Sequence, residues 1–440
     1  MSLVPRTLLS RIPLVGVVAL ALAILPASIP SASASSPSVC GAGHWVASWS
    51  ASPTDAFSYT DATGALVPLA LAHQTVRNVV TPHLGGSSVR IRLTNRFGVS
   101  PVTFDAVTVG RQTTGASATA ITPVTFGGAR SVTIPAGQDV ISDPASLTFA
   151  SFSPLAISIS VPGSLPVTKH WNANATSYYS WPFAGDLTAQ AGAGGFPGRT
   201  GSWLYVDGVD VAANAQTRSV VAFGDSITDG FVSVNAISQP ASAAVADTNG
   251  RYPDQLQRRL DAAGVPISVV NAGIGGNLLV SDLRPSQAGP SGVSRFAADA
   301  LAQAGVGGVL VLEGINDLGL GHTPAAQIIN GYTQVIVQAH AAGLKTWLGT
   351  ITPASNAIVD GVLTAPTSER DRQVINQWIR TQRVADGVVD FDAALRNPAN
   401  PATLRPEYAS TDNLHPSPAG YRAMADAVDL GMLATAPCRS

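Results

Sequence analysis

Four short segments of this sequence hold side chains whose types and spacing suit the cleavage of an acyl bond. Gly224-Asp225-Ser226-Ile227-Thr228-Asp229-Gly230 follows an apolar run. A serine between a buried strand and a starting helix lies beside unpaired backbone N–H groups and the positive end of a dipole, which favours an oxyanion there. The same placement equally suits a serine that only caps the helix. Asp412-Asn413-Leu414-His415 sets a carboxylate and an imidazole three residues apart, close enough to meet within one turn of chain. A neutral imidazole can take the serine proton, while a carboxylate on its other nitrogen fixes the tautomer. A surface turn or a metal pair are the alternatives, although no further His or Cys stands nearby to complete a metal site. Asn316, in Glu313-Gly314-Ile315-Asn316-Asp317, either offers its N–H₂ to a developing negative oxygen or satisfies its own loop. The glycines of Asn271-Ala272-Gly273-Ile274-Gly275-Gly276-Asn277 either let backbone N–H groups approach a ligand or make a plain turn. That segment lacks the Gly-x-Gly-x-x-Gly spacing of a dinucleotide site. Around Ser226, Thr228 stands where the nucleophile elbow of α/β-hydrolases has its second glycine.

These groups need a scaffold that brings them together. From residue 219 onward, short apolar runs at 219–223, 268–271, 309–312, 345–350 and 388–391 alternate with helical stretches at 253–263, 293–304, 324–342 and 368–385. A last helix is expected at 417–430. Strict alternation of strand and helix predicts a parallel sheet covered on both faces, with its reactive groups at the carboxyl ends of the strands. All four segments fall at such ends. From Trp45 to about Thr217 the period is two instead: Val89, Ile91 and Leu93 alternate with Arg90, Arg92 and Thr94, and Leu155, Ile157, Ile159 and Val161 with Ala156, Ser158 and Ser160. Turn residues interrupt these runs about every ten positions, which predicts an antiparallel β-sandwich, expected to be jelly-roll-like. The fold class is therefore α/β, a three-layer parallel-sheet domain over residues 218–437 behind a β domain over residues 40–217.

Charged residues make up 12% of the 440-residue chain and the formal net charge is −2, so the clustered Lys and Arg that nucleic-acid binding needs are missing. Arg6 and Arg11 precede an apolar run from Leu14 to Leu25, followed by Ala32-Ser33-Ala34. Twelve residues fall short of the roughly 20 needed to span a bilayer. Residues 1–34 therefore read as a cleaved signal peptide, with a signal anchor as the alternative, and the mature chain is expected outside the cell without stable membrane insertion. Cys40 and Cys438, the only two cysteines, stand at opposite ends of that mature chain, where an oxidising compartment favours a disulfide between them.

Taken together and in order, the four segments resemble the blocks of the SGNH hydrolases, also called GDSL esterases and lipases. The resemblance covers roughly residues 218 to 432 and departs from the motif only in Ile227, where the name has leucine. It implies Ser226 as nucleophile, His415 as base, Asp412 as its partner, and an oxyanion hole made by the backbone of Ser226 and Gly276 and the side chain of Asn316. Gly273 is the second choice for the glycine. Such an enzyme needs no metal and no organic cofactor. The wording around the blocks, such as Arg251-Tyr252-Pro253-Asp254, is similar to secreted bacterial members related to xylan-active esterases. An ester substrate is expected, with acylated polysaccharide as the first candidate and a carbohydrate acetyl esterase as the activity. A lipase or phospholipase, a transacylase and a non-catalytic sugar-binding protein are the competing readings. Trp45, Trp49, Trp171, Trp181 and Trp203 all lie in the β region. The rings of Tyr178, Tyr179 and Trp181, beside Asn172, Asn174 and Ser177, either stack on sugars or fill the core.

Overall fold

The alternation read in the first half builds two antiparallel sheets in the computed structural model, which describes residues 44–438 apart from 56–57, 164, 284–287 and 359–367. One sheet centres on Gly86–Thr94, paired with Val206–Ala212 and Ala145–Phe149, with Trp45–Ser50 beyond Val206–Ala212. The other centres on Leu155–Val161 between Gln74–Val80 and Ala106–Gln112. Val89, Ile91 and Leu93 from the first sheet meet Leu155, Ile157, Ile159 and Val161 from the second in one apolar core. The polar members of the second run are not solvated as a simple alternation suggests: Ser158 and Ser160 are buried too. Loops cover that face, and the buried Arg77 crosses it, donating to Ser158 Oγ, Ala116 O and Gln190 O. Burial lowers the Arg77 pKa to about 10.

The second half forms a five-stranded parallel sheet in the order Ile267–Gly273, Arg218–Gly224, Val306–Leu312, Lys345–Gly349, Gly387–Val389. Its strands are near-continuously apolar because both faces are covered. Helices Tyr252–Ala262, Ala325–Ala341, Ser368–Thr381 and Pro418–Asp426 lend Leu256, Tyr332, Ile375 and Tyr421 to the same core. The chain steps from the second strand to its edge neighbour and then back past it to the third. That reversal leaves a crevice at the carboxyl ends of Arg218–Gly224 and Val306–Leu312, the switch point where such sheets bind ligands.

Three helices differ from the sequence reading, and the one expected at 368–385 ends at Thr381. The stretch expected at 293–304 is an α-helix only over Gly292–Phe296 and widens to a π-helix over Ala297–Leu301. The one expected at 417–430 stops at Asp426, and Asp429 starts a separate short helix by accepting the N–H of Gly431.

The architecture changes between Ala212 and Arg218, yet polar contacts knit the two halves together. His83 links Val269 O and Asp254, Arg96 meets Asp299, and Ser50 Oγ donates to Asn271 O. The described residues form one compact unit. No helix among them is long and apolar enough to cross a membrane. The expected signal peptide and Cys40 lie outside the described residues; Cys438 Sγ lies 4.0 Å from Ala215 O.

Candidate active site

Strand Arg218–Gly224 ends at Gly224, and Asp225 turns the chain by accepting the N–H of Ile227 at 2.8 Å. The four-residue helix Ser226–Asp229 follows and stops at Gly230, whose φ of 83° suits a residue without a side chain. Side chains from both halves take the carbonyls that end this helix. Asn271 donates to Thr228 O, Arg251 to Asp229 O and Asn174 to Gly230 O. His170 Nε2 meets Asp229 Oδ1 at 3.1 Å while its Nδ1 meets Ser52 O at 2.8 Å. Both ring nitrogens of His170 thus face acceptors, and although burial opposes its charge, the Asp229 carboxylate raises its pKa above the ordinary value. The segment carrying Ser226 is fixed at both ends.

Ser226 Oγ lies 2.7 Å from His415 Nε2, and His415 Nδ1 lies 2.7 Å from Asp412 Oδ2. The three-residue spacing works because Asp412 folds the intervening chain around itself: its Oδ1 accepts from Ser410 Oγ and from the N–H groups of Leu414 and His415. Burial pushes the Asp412 carboxyl up, but hydrogen bonds from His415 and this turn outweigh it and hold the group well below the usual range. A carboxylate only accepts, so the imidazole proton sits on Nδ1 and the Nε2 lone pair faces the serine hydroxyl. Phe231 packs on the imidazole, centroids 4.7 Å apart, and Trp171 stacks on Phe231 from the β region.

Asn316 sits in the helix Ile315–Gly319 after the third strand, and one N–H of its amide reaches Asn277 O at 3.0 Å. Gly276 has φ 76° and borders the same cleft as Ser226, Asn316 and His415. Among the described residues the N–H groups of Ser226 and Gly276 have no internal acceptor. Gly273 is elsewhere: a Cβ on it would strike Asp229 N at 2.3 Å, so its role is close packing against the serine's helix. Every residue singled out for the chemistry is therefore gathered at one sheet edge.

The cleft holds about 270 Å³ and is walled by Trp171, Phe231, Ile237, Leu283, Leu320 and Leu414. Sequence reasoning missed Phe231 and Ser410, which carry no motif signal. It weighed Trp171 only as one ring of several. The other rings divide: Tyr178 is buried, whereas Trp181 is 70% exposed. Among the described residues no group of three or more His, Cys, Asp or Glu is placed to hold a metal ion.

A serine hydroxyl, an imidazole and a carboxylate in series, at the carboxyl edge of a parallel sheet beside unpaired N–H groups, define a serine hydrolase. Residues 222–423 match the GDSL-like Lipase/Acylhydrolase family, and this domain is that of a carboxylic ester hydrolase. No curated protein matches the chain. Among solved structures it is similar to a lipolytic protein of the G-D-S-L family from Desulfitobacterium hafniense, at 20% identity over 50% of this chain and 99% of that one, TM-score 0.35. An aryl esterase of M. smegmatis matches at 15% identity over 48% and 96%, TM-score 0.38. A carbohydrate acetylesterase from Sinorhizobium meliloti matches at 16% identity over 48% and 96%, TM-score 0.37. At these identities and scores none of them argues for a substrate.

Proposed function

We propose that this chain is a secreted serine esterase that cleaves carboxylic esters through an acyl-enzyme on Ser226. The observation that carries the reading is the unbroken series Ser226 Oγ, His415, Asp412, with both links at 2.7 Å. His415 Nε2 takes the Ser226 proton as Oγ attacks the ester carbonyl carbon. The resulting oxyanion is held by the N–H groups of Ser226 and Gly276 and the Asn316 amide. His415 then gives the proton to the departing alcohol, leaving the acyl group on Oγ; a water deprotonated by His415 attacks that acyl carbon, the acyl–Oγ bond breaks to release the acid, and His415 returns the proton to Oγ. Asp412 orients the ring and balances its charge throughout. Secretion is supported by the basic, apolar and small-residue leader within residues 1–34 and by the cysteine pair Cys40 and Cys438.

The cleft of about 270 Å³ is walled mainly by apolar side chains. Its apolar walls support a compact ester with an apolar acyl or alcohol part. An acetylated polysaccharide is a second reading, supported by the exposed rings of Trp181 and Phe183 on the β region. The test is a p-nitrophenyl ester series from acetyl to palmitoyl beside acetylated xylan. Turnover that peaks at short to medium chains fits the cleft, and a palmitoyl optimum would point to a lipase. Acetate released from xylan faster than from the small ester would favour the second reading. No hydrolysis of any of them removes the esterase assignment.

A further inference from the structure

We propose that Arg295 is a positioning residue that holds the three oxyanion-forming segments in register from beneath the site. This rests on the esterase reading above and adds a residue that touches none of the reacting atoms. Arg295 is 4% exposed, on the short helix Gly292–Phe296, with its guanidinium over the Phe223 ring. Each of its three nitrogens is engaged. Nη2 donates to Gly224 O at 2.8 Å, the last carbonyl before Asp225 and Ser226, and to Glu313 Oε1 at 3.2 Å, three residues before Asn316. Nε donates at 2.8 Å to Asn277 Oδ1, on the residue after Gly276. Nη1 reaches Ala272 O, Asp299 Oδ2 and, across from the β region, Ser52 Oγ.

The contacts converge on the geometry that the chemistry needs. The carbonyl of Asn277 accepts from the Asn316 amide, so a short chain of hydrogen bonds runs from Arg295 through Asn277 to the oxyanion donor. The same side chain anchors the strand end that launches Ser226. A planar fork of five N–H groups can serve these separate directions at once, whereas an ammonium is a single point on a flexible stem. Asp225, Glu313 and Asp317 crowd the same buried region. Burial first, and then the neighbouring carboxylates, raise Glu313 well above its ordinary value, and Arg295 is the cation set against them. An electrostatic role alone would tolerate lysine; a positioning role would not.

The experiment compares wild type, Arg295→Lys and Arg295→Ala on a soluble acetyl ester, with active sites counted by fluorophosphonate titration. Arg295→Lys is expected to lose about 10²-fold in kcat, the cost of a misplaced oxyanion donor, with KM within about threefold. Added guanidinium is expected to restore part of the kcat of Arg295→Ala and nothing in Arg295→Lys. A folded Arg295→Lys with kcat within twofold of wild type overturns the proposal, as does a loss confined to KM. Should the Arg295 variants fail to fold, Asn277→Asp deletes only the Nδ2 bonds to Ala288 O and Pro290 O and serves as the control, whereas Asn277→Ala also deletes the contact with Arg295 Nε. Asn277→Ala must show the same kcat loss, and a folded Asn277→Ala with full kcat also overturns the proposal. A wild-type protein that neither hydrolyses esters nor takes the label would instead remove the esterase reading beneath it.

Discussion

Replacing Asp412 by Asn should harm catalysis more than its small change in size suggests. The carboxylate is asymmetric: Oδ1 accepts three donors, Ser410 Oγ and the N–H groups of Leu414 and His415, while Oδ2 meets only His415 Nδ1. An asparagine side chain must therefore put its carbonyl oxygen at the Oδ1 place and its N–H₂ where Oδ2 was. The amide then donates to Nδ1, which forces the imidazole proton onto Nε2, facing Ser226. In that tautomer the ring cannot accept the serine proton. The expected loss is about 10⁴ in kcat, or about 5.5 kcal/mol of transition-state stabilisation. Asp412→Ala leaves the ring free to sample both tautomers and should lose no more than the Asn variant does. The assay is steady-state hydrolysis of p-nitrophenyl acetate, with near-UV circular dichroism to show an intact fold. An Asp412→Asn enzyme with a tenth or more of wild-type kcat would refute the tautomer argument, because the hydrogen bonds leave no second orientation of the amide.

Asn316→Ala should lose roughly 10²–10³ in kcat and keep its fold, and unchanged turnover would remove Asn316 from the oxyanion hole. Trp171→Ala deletes a wall of the cleft, so the ratio of kcat/KM for octanoyl over acetyl esters should rise about tenfold; an unchanged ratio would mean the acyl group lies elsewhere. Thermal stability should fall as pH rises from 5 to 8. Burial raises Asp225 to about 7 and Asp207 and Asp317 to about 6, from an ordinary 3.8, and His170 is also raised. A raised pKa in the folded state gives stability that is complete below the ordinary value and lost as pH climbs through the shifted one. The depressed Asp412 acts only at lower pH, so a Tm that is flat or rising between pH 5 and 8 would contradict this.

The parallel sheet was legible because strands buried on both faces must be continuous apolar runs, as in 309–312 within Val306–Leu312. The site was legible because the chemistry fixes residue types: Ser226 and Asn316 stand just past strand ends as expected, whereas His415 follows no strand of the parallel sheet and lies in the turn before helix Pro418–Asp426. Helix ends were less so: Asp429 restarts a helix through a local cap that competes with the apolar period. Arg295 and His170 passed unnoticed because their partners are remote in sequence, Gly224 and Asp229 among them. The pair Arg295 and Asp299, four residues apart inside the otherwise small and mostly apolar stretch 292–301, was the available signal. The entry of Trp171 into the cleft depends on how two sheets dock against a third, and no local pattern encodes that.

The most direct test of the central claim is to treat the protein with a fluorophosphonate and map the adduct by peptide mass spectrometry. One labelled site, Ser226, is expected, with neither label nor ester hydrolysis in a folded Ser226→Ala variant. A label on another serine, or hydrolysis at the normal rate by Ser226→Ala, would contradict it.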